Sequence, residues 1–115
     1  MLHSPAPSSA QAAQVTATLV QARDYLRTSP PLSHALPLLA DLLDEDTGIP
    51  ILLGDVLRSA ARLVAQQCPA EPDQIRPIAA GLREAAQEAT DWHVLHWDVR
   101  RLRQYVRDAG QPAAS

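Results

Sequence analysis

The sequence predicts an all-α fold: an antiparallel bundle of four helices, or five if the last is divided, with flexible termini. Apolar residues recur at spacings of three and four in every long segment, and no segment alternates as a half-buried strand does. The hydrophobic 46% of the chain contains no Phe. It consists mainly of Ala, Leu and Val, and Ala and Leu enter helices at little cost. A length of 115 residues suits one core.

A single helical-bundle domain is predicted over residues 9–109. It lies between a flexible N-terminal tail, residues 1–8, and a flexible C-terminal tail, residues 110–115, because both ends are small, polar or proline-containing. The lone Cys68 excludes an internal disulfide, and no secretory signal is recognisable. The longest apolar runs are too short to span a membrane. We therefore expect a cytoplasmic protein with no membrane partner.

The first helix is predicted over residues 8–28, where apolar residues follow 3-4-3-4 spacing. Ser8 or Ser9 can cap its N-terminus. The sequence Ser29-Pro30-Pro31 ends it, because the residue before a proline avoids the helical conformation. The apolar seam of this helix consists of Ala12, Val15, Leu19, Ala22 and Leu26.

The second and third helices are predicted over residues 33–46 and 50–68. Ser33 is the expected N-cap of the second helix. Pro37 is expected in or near its first turn, where a missing N–H costs least. Gly54 in the third helix has no functional motif around it, so we expect it to mark close contact with another helix.

The fourth pattern runs from about residue 73 to residue 109, and its apolar seam rotates near Thr90 and Asp91. This rotation predicts either a bend or two helices with Asp91 as a new N-cap. Across all the helices, the predicted core consists of Leu39, Leu43, Val56, Leu63, Leu82, Leu95, Val99 and Leu102.

Residues 90–108 hold the candidate functional site. On a helical wheel, basic side chains form a stripe beside the core face, and no carboxylate lies within that stripe. Trp97 points away from the core face. Trp and Arg carry much of the energy of protein interfaces, so the stripe is interpreted either as a partner-binding surface or as an ordinary solvated face. The predicted binding residues are His93, His96, Trp97, Arg100, Arg103 and Arg107.

An acidic cluster near the end of the second helix is the only obvious counterpart of this stripe: Asp41, Asp44, Glu45 and Asp46. Acidic residues at a helix C-terminus oppose the macrodipole. The cluster is therefore either a solvated helix end or a partner for the stripe arginines, within the chain or across a dimer. It lacks the alternating ligand positions of an EF-hand.

No catalytic, metal or cofactor site is predicted. Cys68 lies at a helix C-terminus, where the dipole disfavours a thiolate. His93 and His96 have no Cys, Asp or Glu on their stripe to complete a zinc site.

These features predict a small non-enzymatic interaction module, regulatory or scaffolding, that binds another protein or a second copy of itself through the C-terminal helix. The alternative is a nucleic-acid-binding regulator that contacts phosphates through the arginines. A net charge of −3 and the absence of a clear helix-turn-helix signature weigh against it.

Overall fold

The structure is a computed structural model that describes residues 5–68 and 72–110. Over these residues the chain is all-α, as predicted, and contains no β-strand. The sequence predicts either four or five helices, and the described residues form five. The helices are α1 (Ser9–Arg27), α2 (Leu32–Leu42), α3 (Ile49–Gln67), α4 (Pro72–Asp91) and α5 (Leu95–Gly110), and a 3₁₀ turn (Trp92–Val94) joins the last two.

The ends of α1 follow the sequence prediction. Ser8 is the N-cap: its hydroxyl accepts the N–H of Gln11, while the side chain of Gln11 accepts the N–H of Ser8. At the other end, Ser29 adopts a positive φ of 56°, and two prolines follow it. The backbone therefore leaves the helical conformation at this point and cannot return to it at once.

The start of α2 differs from the prediction. The helix begins at Leu32 with Pro31 as its N-cap, and no side chain caps it. Ser33 is therefore already inside the helix and cannot be the N-cap. Pro37 lies beyond the first turn, inside the helix, where its missing N–H leaves the Ser33 carbonyl without its usual donor. The N-cap lies two residues earlier than expected. Pro30 avoids the helical conformation because it precedes another proline, Pro31 has a non-helical ψ of 138°, and the helix begins at Leu32 directly after them.

The junction between α4 and α5 consists of two helices and a 3₁₀ turn. Asp91 is not the predicted side-chain cap of a new helix. Its backbone is still helical, with φ −62° and ψ −25°, whereas an N-cap needs an extended backbone. Its carboxylate instead accepts a hydrogen bond from Gln87 at 2.8 Å.

The most extensive contact in the fold joins α3 and α4, and small residues make it. A Cβ atom at Gly54 would collide with Thr90 Oγ1 and lie 3.2 Å from the Ala86 carbonyl oxygen. This confirms that Gly54 marks a close helix contact. Arg58 donates to Thr90 Oγ1 at 2.9 Å beside it. The start of α3 therefore meets the end of α4, and the two helices are antiparallel. The buried residues of these two helices are Pro50, Gly54, Ala61, Ala79, Ala86 and Ala89.

The predicted core is partly wrong. Val99 is buried and Leu39, Leu43 and Leu82 are half-buried, but Val56, Leu63, Leu95 and Leu102 are exposed. The reason is that glycine and alanine allow two helix backbones to approach more closely than leucine does. The packed faces are therefore rotated away from the faces that carry the largest side chains. Leu36 of α2 is the one buried leucine in the described chain.

A second antiparallel contact joins α2 and α5, whereas α1 makes only slight contact with the other helices. The molecule is elongated as a result. Its radius of gyration is 19.2 Å, against about 13 Å for a compact chain of this length.

Among the described helices, none combines the length and apolar character needed to cross a membrane. Gly110 is the last residue of α5, so that helix extends one residue past the predicted domain end. The predicted mobility of residues 1–4 and 111–115 lies outside the described residues.

Candidate functional site

The loop between α2 and α3 is organised by Asp44. Its Oδ2 atom accepts the N–H groups of Asp46 and Thr47 at 3.0 Å and the Thr47 hydroxyl at 3.1 Å. Gly48 closes the loop by donating its N–H to the Asp44 carbonyl oxygen. A Cβ at Gly48 would lie 2.5 Å from the Asp44 backbone, so only glycine fits here. Part of the acidic cluster therefore builds a tight turn.

The same hydrogen bonds lower the pKa of Asp44 below its ordinary value. Donation from the N–H of Asp46 is the largest cause, and donation from the N–H and hydroxyl of Thr47 comes next. Hydrogen bonds of this kind favour the charged carboxylate over the neutral acid. Asp44 therefore stays ionised while it holds the turn.

The turn places Glu45 against the start of α5. Glu45 Oε1 accepts a hydrogen bond from Arg100 at 3.2 Å, and its Oε2 lies 3.2 Å from His96 Nε2. The acidic cluster thus meets the basic stripe within one chain, but through a single carboxylate. Asp41 and Asp46 are exposed and belong to no ion pair in the described ranges. This contact holds the C-terminal end of α2 next to the start of α5.

His96 is a buried residue, with its side chain only 9% exposed. Its Nδ1 lies 2.6 Å from the His93 carbonyl oxygen. Because a carbonyl oxygen can only accept, Nδ1 is protonated and donates a hydrogen bond to it. Its Nε2 has no partner in hydrogen-bond geometry within the described chain, although Glu45 is close. His96 therefore faces its own chain, which corrects its predicted place on an exposed partner-binding stripe.

The sequence misplaced His96 because it centred the buried face of α5 on Leu95 and Leu102. The face that meets α2 instead contains His96 and Val99. This face is rotated about the helix axis relative to the predicted one. His93 is half-buried, and its Nδ1 lies 2.9 Å from the Thr90 carbonyl oxygen. Both predicted histidines are thus engaged with backbone carbonyl groups of the α4–α5 junction.

A small cavity of about 140 Å³ lies between the end of α2 and the start of α5. Its lining carries both signs of charge, with two carboxylates and three basic side chains. Glu45 already pairs with Arg100 inside it. The charges of the cavity therefore partly satisfy one another within the chain. Its lining residues are Ala40, Leu43, Asp44, Glu45, His96, Val99, Arg100 and Arg103.

Helix α5 carries a second arrangement, here called the α5 surface: Trp97, Arg100, Arg103 and Arg107. Trp97 is 51% exposed, and it lies away from the face packed on α2, as the helical wheel predicts. The guanidinium carbon of Arg100 lies 5.0 Å from the centre of the Trp97 ring, a cation–π distance. Arg100 therefore touches both the internal Glu45 contact and the exposed tryptophan.

The charge of the α5 surface is only partly neutralised. Asp98 pairs with Arg101, and Asp108 accepts from Gln104. No ion pair in the described part of the chain involves Arg103 or Arg107, and both are exposed. Two unneutralised guanidinium groups therefore lie on the same helix as a half-exposed tryptophan.

Metal binding finds no support in this arrangement. Over residues 5–68 and 72–110, no three His, Cys, Asp or Glu side chains come close enough together to hold an ion. Next to His96 Nε2 stands Glu45, which already shares its carboxylate with Arg100.

No relative offers a role that can be transferred to these residues. Nothing matches this chain in comparisons with protein families, with curated proteins or with solved structures. Any role for the α5 surface has to be inferred from its own contacts, charge and exposure.

Proposed function

We propose that this chain is a non-enzymatic interaction module of the cytoplasm, regulatory or scaffolding, that binds a protein partner through the α5 surface. One observation carries the proposal: a half-exposed tryptophan stacked with an arginine lies on the same helix as two exposed arginines for which no ion pair is found in the described chain. Trp and Arg are the side chains most enriched among residues that dominate interface energy.

The geometry favours binding because part of the surface is already ordered. Arg100 is held between Glu45 and the Trp97 ring, so it loses less side-chain entropy on binding than a free arginine does. Trp97 offers a large apolar area with only two rotatable side-chain bonds. Together they form a fixed apolar and cationic anchor on the outside of α5.

The charge of the surface sets the chemistry of the partner. Arg103 and Arg107 supply positive charge, and no ion pair involves either of them among the described residues. A complementary partner therefore carries carboxylates around an apolar patch or pocket that receives Trp97. Nucleic acid is the weaker alternative, since the net charge of the chain is −3 and phosphate binding depends mainly on positive charge.

The test compares two tryptophans that are almost equally exposed, Trp97 at 51% and Trp92 at 47%. The wild-type chain and the variants Trp97→Ala, Trp92→Ala and Arg103→Ala/Arg107→Ala are used to capture proteins from an extract of the native host cell. Helix content is first checked by circular dichroism. A protein captured by the wild-type chain is then purified, and its Kd for the wild type and each variant is measured at two salt concentrations.

We expect Trp97→Ala to weaken that Kd by about 30-fold, which corresponds to about 2 kcal/mol, with modest salt dependence. The double arginine variant should weaken binding less, chiefly by slowing association. Equal losses for Trp97→Ala and Trp92→Ala would contradict the proposal. Direct binding of duplex DNA that falls steeply with salt and tolerates Trp97→Ala would establish the nucleic-acid alternative instead.

A further inference from the structure

Helix α1 carries a regular apolar seam that the described part of its own chain leaves mostly uncovered. The seam residues Ala12, Val15, Leu19, Ala22 and Leu26 follow 3-4-3-4 spacing, yet only Ala22 is buried. The helix has 19 residues and a complete N-terminal capping box. In proteins most of the stability of an amphipathic helix comes from the packing of its apolar face. The seam therefore needs a covering surface.

Two open apolar clefts flank α1. One lies between Val15 and Leu19 of α1 and Leu42 and Ile49 at the α2–α3 junction, with a volume of about 220 Å³. The other lies between Val15 and Val56 of α3, with a volume of about 750 Å³. The helix thus stands beside the rest of the chain without closing onto it.

The area left in solvent is large enough for a stable dimer. The chain exposes 8855 Å², whereas a compact protein of 12.5 kDa exposes about 6,200 Å². The excess is about 2,700 Å² per chain by that scaling. Interfaces of obligate homodimers bury about 1,000–2,500 Å² on each partner. The surface that the whole chain exposes beyond that of a compact protein is therefore as large as the area that such a homodimer buries on each partner.

We infer that α1 is a dimerisation helix whose seam packs against the α1 seam of a second copy of this chain. A 3-4-3-4 seam is the pattern by which two helices interlock along their length. This seam contains no charged residue, and none occurs in α1 before Arg23, so an uncharged, equally apolar surface fits it. A second α1 offers such a surface. The interface is separate from the α5 surface and does not rest on the proposed function.

The charges of α1 favour an antiparallel pair. Arg23, Asp24 and Arg27 all lie near its C-terminus. In a parallel pair the two Arg27 side chains, and likewise the two Arg23 side chains, would lie near each other. In an antiparallel pair they lie beside the uncharged N-terminal half of the other helix, and the helix dipoles are opposed favourably.

Two adjacent residues provide a matched test. Leu19 and Val20 are almost equally exposed, at 39% and 38%, but only Leu19 belongs to the seam. Light scattering should give the wild-type chain and Val20→Asp twice the monomer mass of 12.5 kDa, and Leu19→Asp the monomer mass. A monomeric wild type at high micromolar concentration would overturn the inference, as would a dimeric Leu19→Asp.

Disulfide formation tests the pairing without disrupting the seam. In a chain whose native thiol is removed by Cys68→Ser, the variant Leu19→Cys places a thiol at the middle of the seam. Mild oxidation should join two chains of Leu19→Cys and leave Val20→Cys unjoined. Failure of Leu19→Cys to cross-link, or equal cross-linking at both positions, would contradict α1 pairing. Cross-linking of Val15→Cys to itself would overturn the antiparallel orientation, because only a parallel pair brings these two residues together.

Discussion

Helices α1 and α3 have the same length, 19 residues each, but their packing differs. α3 lies tightly against α4 through glycine and alanine, and its large apolar residues stay at the edge of the contact. α1 has the more regular seam and remains almost unpacked. Regular apolar spacing therefore shows that a helix has a face to cover. It does not show whether the covering surface belongs to the same chain.

The largest expected effect separates a buried leucine from an exposed one. Leu36 of α2 is buried and Leu63 of α3 is exposed. Leu36→Ala should lower the free energy of unfolding by about 2–5 kcal/mol, because it leaves a cavity. Leu63→Ala should lower it by about 1 kcal/mol or less, since much of its side chain already meets water. Urea denaturation followed by circular dichroism measures both, and a larger loss for Leu63→Ala would place the core on the other face of α3.

Enlarging the small-residue contact should have the next largest effect. Ala86 is fully buried between α3 and α4, whereas the adjacent Ala85 is exposed. Ala86→Leu should destabilise the chain by about 1–3 kcal/mol, because the added side chain forces two close backbones apart. Ala85→Leu should change stability by no more than about 0.5 kcal/mol. Similar midpoints for the two variants in urea would show that α3 and α4 do not pack through this seam.

A smaller, pH-dependent effect is expected in the turn between α2 and α3. Because the pKa of Asp44 is lower in the folded chain than in the unfolded chain, its ionised form stabilises the fold above about pH 4. This contribution is lost as pH falls through the folded pKa. Asp44→Ala should therefore lose less stability than the wild type between pH 5 and pH 3.

The matched control for this prediction is Asp46→Ala, which removes an exposed carboxylate of the same loop for which no accepted hydrogen bond is found in the described chain. Thermal unfolding at several pH values compares the three chains. Asp46→Ala should keep the pH dependence of the wild type. An unchanged dependence in Asp44→Ala would show that the turn does not depend on its charge.

Local chemistry made much of the fold predictable from the sequence. The cap at Ser8, the stop before Pro30 and the close contact at Gly54 each depend on one residue and its neighbours, and all three are found. The exposure of Trp97 follows from helical geometry alone. The turn at Asp44 was missed, although an aspartate followed by Thr47 and Gly48 is a recognisable signal for it.

Packing faces were less predictable, because they depend on which helices meet. Counting large apolar residues placed Leu63 inside and His96 outside, and both positions were wrong. The contact between α3 and α4 depends on how close two backbones can come, which the sequence shows only indirectly through Gly54 and Ala86. The hydrogen bond from Arg100 to Glu45, which brings Glu45 close to His96, joins distant parts of the chain, and spacing along one helix carries no information about it.

Amide hydrogen exchange at two protein concentrations tests the contrast between α1 and the α3–α4 pair most directly. If α3 and α4 are covered within the chain and α1 is covered by a second copy, exchange in α3 and α4 should be slow at both concentrations. Exchange in α1 should be fast at low micromolar concentration and become slow at high micromolar concentration. Slow exchange in α1 at both concentrations in the Leu19→Asp variant would show that its own chain covers α1, and would contradict the account. Fast exchange in α1 at both concentrations would contradict the dimer.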